Sequence, residues 1–123
     1  MKKILVTLFA ALLAVTLSLG GAVTSEASQN LPRITIVNNT GYTFYYLYVS
    51  PTASDVWGRD VLGSRVLRSG YEFGVTLPHP TDVTNTYDIM AVDVDGDSYT
   101  KWNVLVRPNQ RIEFVFADID PRR

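Results

Sequence analysis

The chain contains no cysteine and one histidine, His79, set between Pro78 and Pro80. The missing thiols exclude disulfides, a cysteine nucleophile and the lipid-modified cysteine of a bacterial lipoprotein anchor. One histidine without thiols cannot supply the usual nitrogen and sulfur shell of a zinc site. A serine–histidine dyad would have to use His79, yet no Gly-x-Ser-x-Gly elbow exists to present the serine. A solvent-exposed loop position accounts for it. There is no excess charge of one sign either: 11 Lys and Arg face 12 Asp and Glu, a net charge of −1. That balance leaves no general attraction to nucleic acid or acidic membranes. Aromatic strands can stack on single-stranded nucleic acid, but the basic groove such binding needs is lacking. No glycine-rich phosphate loop is present outside Gly20-Gly21, which belongs to the N-terminal apolar stretch. No segment keeps a helical period long enough for a core helix, and no internal repeat is visible.

That stretch reads as an address. Met1-Lys2-Lys3 is a short basic start, and Ile4 to Ser25 is an uncharged run of 22 residues. Gly20-Gly21 breaks it, and Ser25-Glu26-Ala27 places small residues where a signal peptidase reads. The layout predicts a signal peptide over 1–27 with cleavage after Ala27, and after Ala22 as second choice. The rival is an uncleaved anchor, since 22 residues suffice to span a bilayer. The glycines and the small-residue exit favour cleavage, hence a periplasmic or secreted protein with no membrane attachment afterwards. The remaining domain, 28–123, has 96 residues. Removing Lys2, Lys3 and Glu26 takes 11 basic and 12 acidic side chains to 9 and 11, a net charge of −2. All 7 tyrosines, both tryptophans and 4 of the 5 phenylalanines lie in this part. A domain this small buries roughly 60–65% of its extended surface, so its rings are expected to build the core.

The pattern of this domain is that of strands. Arg33 to Asn38 alternates with period two, Asn39-Thr40-Gly41 is a turn, and Tyr42 to Ser50 is aromatic and β-branched. The two runs predict a first hairpin. Pro51 to Arg65 loses the alternation, with room for one helical turn near Asp60. Val66-Leu67 is a short apolar pair of edge-strand type. In Tyr71 to Leu77, residues Tyr71, Phe73, Val75 and Leu77 share a face, and Pro78 to Thr86 is a loop. Tyr87 to Val94 and Asp97 to Val106 flank Asp95-Gly96, and Arg111 to Ala117 closes the set with Ile112, Phe114 and Phe116 inward. Asp118 to Arg123 is a polar tail. Six or seven short strands with regular turn signals predict an all-β fold, a single antiparallel β-sandwich, with a small closed β-barrel as the alternative.

A two-residue Asp95-Gly96 turn would pair Val94 with Asp97, Val92 with Tyr99 and Ile89 with Trp102. Tyr87, Ile89, Ala91, Trp102, Val104 and Val106 would then face the core. Met90, Val92 and Tyr99 would share the other face with Asp88, Asp97 and Lys101. That face is half apolar, as is the second face of Tyr42 to Val49, so the 51–65 segment or a partner must cover them. Trp57-Gly58 in that segment reads first as a plug closing one end of the sandwich and second as an exposed binding anchor. Arg59, Arg65 and Arg68, with Asp55 and Asp60 nearby, suit either an oxyanion site or ordinary surface ion pairs. Candidate binding residues are therefore Trp57, Arg59, Met90, Val92 and Tyr99.

Asp93, Asp95 and Asp97 are candidate metal ligands, because hard oxygens at alternate positions suit calcium. The EF-hand spacing fails, with Ser98 where the glycine belongs and Val104 where the glutamate belongs. In the tight register Asp93 and Asp97 point to opposite faces, so the hairpin reading comes first and calcium, the one cofactor considered, second.

Asn39-Thr40-Gly41, Leu47-Tyr48-Val49-Ser50-Pro51, Trp57-Gly58-Arg59-Asp60-Val61-Leu62-Gly63, Gly70, Tyr87-Asp88-Ile89 and Asp93-Val94-Asp95-Gly96 resemble, in this order, a group of small exported bacterial β proteins. The resemblance spans nearly all of 28–123 and implies a fold and export but no reaction. Some similar sequences carry the label argininosuccinate lyase. Those lyases are much longer, helical and cytosolic, and their catalytic motifs are missing here. Three readings remain. The first is a non-enzymatic exported binding or structural module meeting a protein or glycan of the cell envelope. The second is a calcium-dependent sandwich resembling C2 domains, with Asp55 or Asp88 as further oxygen donors. The third is a hydrolase using Asp88 with Asp93 or Asp95, about 5–9 Å apart as glycosidase acids are.

Overall fold

The computed structural model describes Lys3 and residues 31–122. The expected leader over 1–27 and its cleavage point lie outside these residues, Lys3 excepted. Among them no helix is long and apolar enough to cross a membrane.

Among the described residues six strands form: β1 Arg33–Asn39, β2 Phe44–Pro51, β3 Glu72–Thr76, β4 Thr86–Asp93, β5 Ser98–Leu105 and β6 Arg111–Val115. They make two three-stranded sheets, ordered β3–β1–β6 and β2–β4–β5. The all-β sandwich expected from the pattern is what forms, and the sheets do not close into a barrel. All pairs run antiparallel except β1 with β6, which is parallel.

Alternation sets the inner faces. Ile34, Ile36, Val75, Ile112 and Phe114 from one sheet meet Phe44, Leu47, Tyr87, Ile89, Ala91 and Tyr99 from the other. Phe44 and Phe114 cross the gap edge to face, with ring centroids 5.7 Å apart. Each fully buried side chain of this size contributes roughly 2 kcal/mol. Leu62, Leu67, Leu77 and Val106 fill the margins from the loops.

The hairpin expected around Asn39-Thr40-Gly41 does not form. β1 and β2 lie in different sheets, and the turn carries the chain from one to the other. Asn38 dictates this corner. Its buried amide donates to the Tyr42 and Leu67 carbonyls at 2.8 and 2.9 Å. Its Oδ1 accepts from the Thr40 amide and hydroxyl at 3.0 and 2.8 Å. A buried amide must find such partners, and these are available only in a corner that brings Leu67 beside Tyr42.

Leu67 makes a single bridge to Phe44 rather than an edge strand. No helical turn forms near Asp60. Its Oδ1 instead accepts from the Leu47 and Leu62 amides at 2.9 and 3.0 Å, tying the 51–65 segment to β2. Tyr71 is exposed, while Val75 and Leu77 of the same expected face are buried. The last strand is shorter than expected, and Phe116 sits half exposed in a 3-10 turn, Phe116–Asp118. The expected polar tail packs back on β5: Ile119 bridges Tyr99, and the Ser98 and Thr100 hydroxyls donate to Asp120.

Two bulges shape the β2–β4–β5 sheet. Tyr45 is extra opposite Asp93 and Val92, and Trp102 with Asn103 together oppose Asp88. A bulge bends the strand and re-aims side chains. Here the second one sits beside a buried carboxylate.

Candidate functional site

The Asp93–Asp97 turn is built on one side chain. Asp93 Oδ1 accepts from the Asp95 and Asp97 amides at 2.9 and 3.0 Å, and Oδ2 accepts from the Tyr99 hydroxyl at 2.8 Å. The Gly96 amide donates to the Asp93 carbonyl, and Gly96 stands at φ +84°. This is a three-residue hairpin, with glycine in the left-handed position, and not the two-residue turn expected. The register moves by one: Val92 faces Ser98, Ala91 faces Tyr99 and Ile89 faces Lys101. A one-residue slip exchanges faces. Tyr99 is therefore core, not a surface binding residue, and Trp102 is 50% exposed, not core. Burial and the Asp93 hydrogen bond both push the Tyr99 hydroxyl well above its ordinary pKa.

The expectation that Asp93 and Asp97 diverge is also overturned. One oxygen each of Asp93, Asp95 and Asp97 lies within 4.8 Å of the others. The Arg122 guanidinium donates from Nε and Nη2 to the two Asp97 carboxylate oxygens, at 2.6 and 2.7 Å, and holds that carboxyl below the ordinary range. Together with the three donors on Asp93, this gives the cluster a structural role as a turn.

The outer face of β2–β4–β5 is different. Tyr46 and Tyr48 stack there with centroids 6.4 Å apart, Tyr48 meets Trp57 at 6.3 Å, and Trp57 meets Trp102 at 5.7 Å. Trp57 is buried, so the 51–65 segment does cover part of this face, but it lies on the outer face of the sheet and not at an end of the sandwich. Met90 and Val92 are half-buried on the same face, and Arg59 is exposed at the edge of the covering segment. Of the five candidate binding residues, Trp57, Met90 and Val92 share this face. The row is left open at its two ends, with Tyr46 46% and Trp102 50% exposed.

Beside Trp57 lies Asp88, 3% exposed in the middle of β4. Its Oδ1 accepts from the Thr52 hydroxyl at 2.9 Å and from the Asn103 amide at 2.8 Å. Asn103 reaches it from a left-handed backbone at φ +52°, a conformation asparagine tolerates better than most residues. Its Oδ2 faces the Lys3 ammonium at 3.1 Å. Burial pushes the Asp88 carboxyl up, but Asn103, Lys3 and Thr52 outweigh it and hold the group below its ordinary value. Asp88 therefore stays ionised, facing a cleft of roughly 520 Å³ lined by Thr52, Ser54, Asp55, Trp102 and Asn103. Asp93 points into the core from the other face of β4, so the two do not form a glycosidase-type pair.

The sequence pattern places Asp88 on the half-apolar second face and offers it as a calcium donor or a hydrolase acid, but does not give the hydrogen-bonded, buried carboxylate found here. Its signal was a lone acid inside the apolar run Tyr87 to Val92, which on a covered face demands partners. Set against known protein families, curated proteins and solved structures, the chain matches none of them.

Proposed function

We propose that the protein is an exported, non-enzymatic binding module, released from its leader into the periplasm or beyond, that meets a protein or glycan of the cell envelope. Its binding face is the outer face of β2–β4–β5. The observation that carries this reading is the aromatic row Tyr46, Tyr48, Trp57 and Trp102, packed in the middle and open at both ends beside buried Asp88. Tyrosine and tryptophan are the side chains that anchor interfaces, and rings left half exposed on a sheet face gain their burial only from a partner. The outer face of β3–β1–β6 offers no such row. It carries Arg33, Thr35, Glu72, Thr76, Arg111 and Glu113, with a surface ion pair between Arg111 and Glu72.

Of the carboxylates a hydrolase would draw on, Asp93 already serves three donors and Asp88 two, and Asp95 is exposed in the turn between β4 and β5. The calcium reading has the convergence of Asp93, Asp95 and Asp97 in its favour. Against it, the Asp93 oxygens are taken and Arg122 occupies Asp97.

Photo-crosslinking in the producing cell tests the binding face. A photoreactive residue at position 46 or 102 is expected to give one defined adduct, and the same probe at 35 or 113 none. Adducts from 35 or 113 alone, or from no position, would overturn the reading.

A further inference from the structure

The Lys3 ammonium sits in a socket. Its Nζ lies 3.1 Å from Asp88 Oδ2, 3.1 Å from the Pro51 carbonyl, 2.7 Å from the Ser54 carbonyl and 3.5 Å from Ser50 Oγ. The Trp57 ring covers it at 5.3 Å. The Lys3 and Asp88 side chains are each only 4% exposed. An ammonium has three N–H donors and no acceptor. One carboxylate oxygen and two carbonyls satisfy all three, and an indole face adds cation–π attraction.

The socket is held together without Lys3. Asp88 Oδ1 is fixed by Thr52 and Asn103. The Ser50 hydroxyl donates to the Val56 carbonyl at 2.8 Å, which leaves its lone pairs turned to the site. The Thr52 amide bonds the Thr86 carbonyl, and the Ser54 amide bonds the Pro51 carbonyl. Trp57 is wedged between Tyr48 and Trp102. Such a preorganised site loses little freedom when it binds. Among the described residues Asp88 Oδ2 has no partner but Lys3. Lys3 falls within the expected leader, so cleavage would leave a buried carboxylate oxygen and two carbonyls facing the empty socket. An ionised carboxylate in that position strongly favours a cationic occupant.

We propose that this socket binds an unbranched alkyl primary ammonium group, namely a lysine side chain presented by a partner protein, in the place that Lys3 takes in this structure. The proposal rests on the binding-face reading above and narrows its ligand. The geometry discriminates. A planar guanidinium spreads its donors in one plane and misfits a tripod of acceptors. A trimethylammonium keeps the charge and the Trp57 contact but has no N–H to donate.

NMR titration of residues 28–123, followed at the Trp57 and Trp102 indole N–H signals, tests this. That segment holds every strand and every core residue found among the described residues, so it carries what the described fold requires. Probes are Nα-acetyl-lysine methylamide, its arginine and trimethyllysine counterparts, and cadaverine. Saturable binding of the lysine probe is expected, at least tenfold weaker for the arginine and trimethyllysine probes and for Asp88→Asn. The full-length chain in mild detergent should bind at least tenfold more weakly than its Lys3→Ala variant. If Asp88→Asn fails to fold, the lysine-to-trimethyllysine ratio on the unsubstituted chain decides alone. No saturable binding of the lysine probe, equal binding of the trimethyllysine probe, or binding of cadaverine without the lysine probe would overturn the proposal. A failed titration with crosslinks from positions 46 and 102 intact removes the ammonium site and leaves the binding face standing.

Discussion

The Tyr99 hydroxyl donates to Asp93 Oδ2 at 2.8 Å inside the core, while Asp93 Oδ1 holds the two amides of the turn between β4 and β5. One carboxylate thus couples the hairpin to the sandwich interior. Asp93→Ala leaves three donors unpaired and is expected to destabilise the fold by about 3 kcal/mol, against about 1 kcal/mol for Tyr99→Phe. Urea denaturation measures both. Equal losses would mean that the turn amides do not depend on Asp93.

The same hydrogen bonds bear on calcium. With Asp93 engaged by three donors and Asp97 by Arg122, millimolar calcium should produce no saturable heat in calorimetric titration and no rise in melting temperature. A saturable heat abolished by Asp95→Asn would reinstate the calcium-dependent sandwich.

Asn38 is the corner that separates β1 from β2. Its side chain is buried and three of its four hydrogen bonds are fully so, so Asn38→Ala should cost about 2–4 kcal/mol. Asn38→Asp should cost as much or more, because a carboxylate would then face the Tyr42 and Leu67 carbonyls. Thermal unfolding with near-ultraviolet circular dichroism reports it. A loss no larger than that of an exposed neighbour such as Asn39→Ala would show that the corner is held elsewhere.

Asp88 gives the pH dependence a sign. Its carboxyl is held below the ordinary aspartate value of 3.8 despite burial, with Asn103, Lys3 and Thr52 responsible. A depressed folded pKa adds stability that is present above about pH 4 and is lost as pH falls through the folded value. Lys3→Ala in the full-length chain should raise the Asp88 pKa and shrink this acid-sensitive part. Carboxyl-carbon NMR of selectively labelled aspartate measures the shift. An unchanged Asp88 pKa would place Lys3 elsewhere.

Much of the fold was legible because period-two alternation and turn residues are local signals. Ile112 and Phe114 face the core as the alternation predicts, and Ile34 with Ile36 and Val75 with Leu77 are buried on the faces it gives them, while Tyr71 and Phe116 of the same series are exposed. Two features were not local. The Asp95-Gly96 pair announces a hairpin but not its loop length. The choice of a three-residue loop depends on the Asp93 carboxylate turning back on two amides, and that single register step exchanged Tyr99 with Trp102. The corner at Asn39-Thr40-Gly41 looks like a hairpin turn until Leu67, 29 residues on from Asn38, supplies its carbonyl. The socket combines residues 3, 50–57, 88 and 103, and no spacing rule joins them. A lone acid in an apolar strand was its one visible trace.

The most direct test of the account joins the aromatic row to the buried carboxylate. A photoreactive residue at position 102 is compared in cells carrying Asp88 or Asp88→Asn, with export and melting temperature matched. The account predicts one defined adduct with Asp88 present and at least a tenfold drop with asparagine. Equal adduct yields in the two backgrounds would contradict it.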